Sequence, residues 1–217
     1  MSLARDRNVV PFRGLTEARA ILQARDPSVL RQIGAPGIAA AIWQRRPTQA
    51  FIDWIADLPA GSLPRLRSIA AVGAVESCVQ AACDIAGTPA GAMRNMLAGD
   101  IAALAFIMAE VMRSPLLHLR LDAVSTDACR RFHVDNMTAR MLCTYRGAGT
   151  QLAQPGQEQA PQDVETGAAA ILRGALWPGH EATALLHRSP PIGGTGQTRL
   201  LLVIDPASDH RTEGFVH

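Results

Sequence analysis

Aromatic residues are scarce in this 217-residue sequence: five Phe, three Trp and one Tyr, 4% in all. A surface that stacks successive bases needs more of them, which argues against a nucleic-acid platform. An excess of one charge is also missing. Twenty-one basic against 19 acidic side chains leave a net charge of +2, so no dominant field draws nucleic acid or an anionic membrane. The N-terminal stretch MSLARDRNVVPFRGL holds no apolar segment of signal-peptide length. The most apolar run, Leu97 to Met112, is broken by Asp100 and Glu110. It reads as a buried helix, too short to span a bilayer. Four cysteines without an export signal suit reduced thiols and predict a cytoplasmic location. Internal repeats are absent, and nothing in the pattern sets an oligomeric state.

What is present is core material. Hydrophobic residues make up 48% and charged residues 18%, a composition of folded rather than disordered chains. The length suits a single α+β domain over 1–217, with a mainly helical buttress at 1–115 and a strand-rich core at 116–217. In the first half, helices are predicted at Leu15–Ala24, Thr48–Ala56 and Arg65–Ala86, the last stopping at Gly87. Gly37–Gln44 reads as a buried strand and Leu58–Pro64 as a loop. Thr88-Pro89 predicts a helix start. Leu97, Ile101, Leu104, Met108 and Val111 then form one apolar stripe. The second half divides into short strands: Leu116–Leu121, Arg131–Asp135, Thr138–Tyr145, Ala168–Leu172, Thr183–His187 and Thr198–Ile204. Residues 151–166 read as a surface loop and Ser189–Gly196 as a turn-rich link. Short strands parted by turns suggest a sandwich or barrel.

The chemistry gathers in the second half. His133-Val134-Asp135 puts an imidazole and a carboxylate at i and i+2, on one face if the segment is extended. His187, at the end of another strand, supplies a third ligand. Two histidines and one carboxylate are the facial triad of non-haem iron(II) sites, which leaves positions open for substrates. Arg199 follows His187 by twelve residues and opens a strand of Leu, Val and Ile. A guanidinium buried there needs an anion, and its planar fork suits a carboxylate. Across the Gly- and Pro-rich link, the two strands are expected to be hairpin neighbours.

His-x-Asp, a gap of about fifty residues, His, and then Arg about a dozen on resembles the iron(II)- and 2-oxoglutarate-dependent oxygenases, in particular the prolyl-hydroxylase-like branch. The resemblance covers roughly residues 116–205. It implies a double-stranded β-helix, a distorted jelly roll with flanking helices. It further implies that His133, Asp135 and His187 bind iron and that Arg199 pairs with the distal carboxylate of 2-oxoglutarate. By the same resemblance, dioxygen is activated, the oxoacid is decarboxylated to succinate, and a C–H bond of a small-molecule or peptide substrate is oxidised. Hydroxylation is the default outcome. Tyr145, on the strand after His-x-Asp, matches a position where such enzymes place a cosubstrate-binding hydroxyl. One departure is Gly167-Ala168-Ala169, where many relatives carry Gly-Asp. The segments RFHVDNMTARMLCTYRGAGTQ and LLHRSPPIGGTGQTRLLLVID also resemble a bacterial family of domains of unknown function. That likeness implies a link to zinc-handling genes, and hence a second reading: a non-catalytic zinc-homeostasis protein on the same fold.

Other residues read more plainly. Cys78 and Cys83 lie five apart, diverge by about 140° on a helix, and read as packing. Cys129 adds to His133, Asp135 and His187 to give a zinc-like set if its segment is helical. His118 and Arg188 read as surface groups and His180 as a turn side chain at a pocket rim. Trp43, Trp54 and Trp177 read as core or rim packing. The competing structural reading of Arg199 is an ion pair with Asp205.

Overall fold

The computed structural model describes residues 16–127 and 129–207; the N-terminal stretch and Leu15 discussed above lie outside them. Strands come first: β1 (Glu17–Ala18), β2 (Ala20–Ala24) and β3 (Ile38–Trp43), with a 3-10 turn at Pro27–Gly34 between the last two. Helix α1 (Gln49–Asp57) leads through a loop to β4 (Leu66–Ala71). Helices α2 (Val75–Ala86) and α3 (Ala92–Met112) follow. The rest is β5 (Leu116–Val124), β6 (Ala139–Arg146), β7 (Gln151–Ala153), β8 (Gln162–Asp163), β9 (Ala169–Arg173), β10 (Ala182–Thr183), β11 (Leu186–Arg188) and β12 (Arg199–Pro206).

A seven-stranded mixed sheet runs in the order β2-β3-β9-β6-β12-β5-β4, parallel only between β2 and β3. Three of its strands come from before residue 116, so the sheet draws on both halves of the chain and the expected boundary at 115 does not divide helices from strands. A three-stranded antiparallel sheet, β11-β7-β8, lies over one face, and β1 pairs with β10. The two faces have separate cores. Leu200, Leu202, Ile204, Met141 and Tyr145 point to the helices and join Leu97, Ile101, Leu104 and Met108. Leu142, Ala170, Leu172 and Val203 point the other way and meet Leu152, Val164 and Leu185.

Several elements follow from local chemistry. Thr48 caps α1, accepting from Phe51 N, and Gly87 ends α2 in the left-handed conformation at φ 66°. Others depart from expectation. Residues 17–24 are rich in helix formers yet form two strands, because β1 finds a parallel partner in β10 and β2 one in β3. The first part of Arg65–Ala86 is β4, whose alternating burial follows pairing with β5. Thr88 does not cap α3; its hydroxyl donates to Ser62 O at 2.7 Å, and the helix begins three residues past Pro89 behind Gly91. At 21 residues α3 is long and apolar enough to cross a bilayer by length and composition, but its stripe packs beneath the sheet. Residues 131–135 contribute a single bridge rather than a strand. Finally, β11 and β12 belong to different sheets and are not a hairpin.

Candidate metal centre

The site sits where the small sheet crosses the seven-stranded one. His187 occupies the middle of β11, opposite Leu152 of β7. On its free side it takes one bridge: His133 N donates to His187 O at 3.1 Å and His187 N to His133 O at 2.9 Å. That bridge brings the two rings to 4.5 Å between centroids. Asp135 is steered from behind, because its carbonyl accepts Ala175 N at 2.8 Å and Met137 O accepts Leu176 N at 3.0 Å. The approach works only because residue 174 is glycine: a Cβ there would stand 1.9 Å from Met137 O.

One ligand atom from each of His133, Asp135 and His187 falls within 4.8 Å of the others. His133 Nε2 is 3.5 Å from Asp135 Oδ1, and His187 Nε2 is 3.2 Å from Asp135 Oδ2. Atoms bound about 2.1 Å from one ion stand about 3.0–3.5 Å apart, so the spacing fits a shared cation. Two further features suit one. His133 Nδ1 lies 2.8 Å from Arg131 O, an arrangement that puts its proton there and leaves the Nε2 lone pair free. Asp135 Oδ2 is buried and, apart from the 3.2 Å approach of His187 Nε2, has no hydrogen-bond partner among the described residues. A buried carboxylate oxygen in that state is costly unless something else binds it.

The carboxylate is held ionised. Burial opposes its charge, but His187, Arg140 and His133 outweigh that and bring Asp135 down to about 2. Arg140 is the clamp. Its Nη1 is 2.8 Å from Asp135 Oδ1, while Nε and Nη2 both donate to Asp205 at 2.8 Å. Asp205 is therefore Arg140's partner and not that of Arg199. A cavity of about 60 Å³ opens beside the triad, walled by His133, His187, Arg120, Arg140, Leu201 and Val203 among others.

Arg199 points to the same face of the sheet, which β12 presents through residues 199, 201, 203 and 205. It is 1% exposed. Nε donates to Ala148 O at 2.6 Å and Nη2 to Thr144 Oγ1 at 3.4 Å, and among the described residues no carboxylate pairs with it. Desolvation alone draws its pKa down to about 10. Arg199 and Thr144 each lie one same-face step, about 7 Å, from the cavity residues Leu201 and Leu142.

Tyr145 is a correction. It points to the helices, where its hydroxyl donates to Asp100 Oδ2 at 2.6 Å and its ring meets Phe51. The hydroxyl on the cavity face of β6 is that of its neighbour Thr144. Sequence reasoning passed over Thr144, Arg140 and Arg120; the alternation in β6 separates Tyr145 from the first two without saying which set faces the site. Cys129 lines the cavity in a left-handed turn at φ 57°, not a helix, and its sulfur is not among the converging ligand atoms. Cys83 is buried in α2 and Cys78 half-buried. His118 and His180 are exposed. Arg188 is more engaged than expected: it stacks 4.3 Å over Phe132 and donates to Gln151. Trp43 and Trp177 each lie beneath an arginine, and Trp54 packs on Phe51.

The family model described as "Protein of unknown function (DUF1826)" matches residues 24–205. The chain belongs to the DUF1826 family. No curated protein matches it in sequence. Among solved structures, this DUF1826 chain is similar to a rice dioxygenase for auxin oxidation at 14% identity and TM-score 0.47, over 86% of this chain and 82% of that one. The Arabidopsis thaliana dioxygenase for auxin oxidation 1, in complex with 2-oxoglutarate, matches at 12% identity and TM-score 0.46, over 86% and 91%. A Pseudomonas putida prolyl-4-hydroxylase matches at 14% identity and TM-score 0.39, over 82% and 95%.

Proposed function

We propose that this protein is an iron(II)- and 2-oxoglutarate-dependent dioxygenase, a hydroxylase of a small-molecule or peptide substrate, with its facing sheets a double-stranded β-helix. The observation that carries the reading is the meeting of His133, Asp135 and His187 around an unpartnered buried carboxylate oxygen. Arg199, buried on the same face with no acid partner among the described residues, supports it. His133, Asp135 and His187 would hold the metal. When bound, iron(II) supplies dioxygen activation coupled to decarboxylation of the oxoacid. The chain's own residues do the rest. Arg199 binds the distal carboxylate of 2-oxoglutarate, Thr144 adds a hydroxyl beside it, and the short span to the cavity suits a small dicarboxylate. Arg140 fixes Asp135 in its ionised form, and Arg131 O fixes the ring of His133. Leu142, Leu201 and Val203 line the cavity with apolar groups that limit water.

The test is anaerobic loading of metal-depleted protein with iron(II) and 2-oxoglutarate. A visible charge-transfer band, followed by succinate formation on admitting air, is expected; Arg199→Leu should abolish the band and spare iron binding. Stoichiometric iron with neither band nor succinate would remove the oxygenase reading. Cys129, in the same cavity wall, favours the second reading of a non-catalytic zinc-homeostasis protein. That reading requires zinc to bind far more tightly than iron and Cys129→Ala to weaken it.

A further inference from the structure

The cavity beside the triad is not closed on all sides. Arg120 and Arg140 also line a groove of about 580 Å³ on the same sheet face, toward the β4 edge. That volume lies within the range of small-molecule sites. Its lining holds Arg67, Arg120 and Arg140 against one acid, Asp205, which Arg140 binds. Arg67 of β4 stands directly opposite Arg120 of β5, both on the outer face. Like charges directly opposed across a sheet repel, and among the described residues no acid pairs with either arginine. Of the nearby acids, Asp205 is bound by Arg140, and Asp135 by Arg140 on one oxygen with the two histidines around it. Asp122, one same-face step along β5, forms no ion pair with Arg120 among the described residues. Arg120 Nε is buried with no hydrogen-bond partner among the described residues. A guanidinium nitrogen in that state calls for an acceptor.

We propose that Arg67 and Arg120 form an oxyanion subsite that clamps a carboxylate or phosphate group of the substrate and directs the rest of it, through the shared wall, toward the triad. Two guanidinium groups facing across adjacent strands can each present a fork to one oxyanion. The proposal deepens the oxygenase reading and rests on it for the word substrate; the anion site itself does not.

The experiment uses the metal-free 217-residue chain carrying Arg199→Leu, so that the cosubstrate position does not contribute. Phenyl phosphate and benzoate are titrated separately by calorimetry, which distinguishes phosphate from carboxylate recognition. One of them is expected to bind once per chain and to weaken with added salt. Arg120→Gln and Arg67→Gln should each weaken it about tenfold, with Arg120→Lys retaining part of the affinity. Arg67 is exposed, so its variant is expected to fold, and loss of the like-charge pair should leave the melting temperature equal or higher. Binding of neither probe, or binding unchanged by both glutamine variants, overturns the subsite. Anion binding in a protein that forms no succinate would keep the subsite and sink the oxygenase; succinate formation without anion binding would do the reverse.

Discussion

On the helical face of the seven-stranded sheet, Arg45 donates to Asp100 at 2.7 Å and Tyr145 to the same carboxylate at 2.6 Å, so each buried polar group meets another. On the opposite face Arg140 bridges Asp135 and Asp205, yet among the described residues Asp135 Oδ2 has only the 3.2 Å approach of His187 Nε2, Arg120 Nε has no hydrogen-bond partner and Arg199 has no acid. Both faces bury charge beneath hydrophobic cover, and the accounting differs. Closed sets of this kind hold a fold together. Open ones destabilise it and persist where a ligand completes them. Partner satisfaction therefore separates the two faces more sharply than burial does.

Substitutions can break or sharpen that contrast. The largest effect is expected on the helical face, where Leu104→Ala should cost about 3 kcal/mol of stability in denaturant melts, with metal affinity intact. Arg45→Leu strands Asp100 and should cost about 2 kcal/mol, whereas Arg199→Leu removes an unpaired buried cation and should leave the melting temperature unchanged or raised. Equal destabilisation by the two arginine variants would erase the distinction. A pH series tests Asp135. Its pKa of about 2 lies below the ordinary 3.8, so its contribution is present above about pH 4 and lost as pH falls through about 2. Metal-free wild type should lose on the order of 1–2 kcal/mol across that window, and Asp135→Asn should lose less. The smallest effect is expected from Tyr145→Phe, about 1 kcal/mol from the broken bond to Asp100, with 2-oxoglutarate affinity unmoved. Weakened 2-oxoglutarate binding in that variant would return Tyr145 to the site.

How much of this was legible in the sequence differs by element. His133, Asp135 and His187 were readable because chain order and type alone single them out, although the strand geometry assumed for 131–135 was not what joins them. The join is a bridge from a loop to the free edge of β11, together with a glycine at 174, and long-range pairing of that kind leaves no local periodicity. Arg199 was legible as a charge among Leu, Val and Ile. Tyr145 and Thr144 were not separable, since β6 is buried on both faces and alternation gives parity without direction. Residues 17–24 misled because local propensity favours helix while an edge pairing decides. Arg120 and Arg67 were invisible as a pair, because their register exists only once β4 and β5 are aligned.

The central claim is that three side chains from two segments, His133 and Asp135 from one loop and His187 from β11, hold one divalent cation. Cobalt(II) titration of the metal-free protein, followed by its visible absorption, tests it most directly. One equivalent should bind to wild type and to Tyr145→Phe, and none to His187→Ala or Asp135→Asn. Stoichiometric cobalt that survives both of the latter substitutions, or its absence from wild type, would contradict the account.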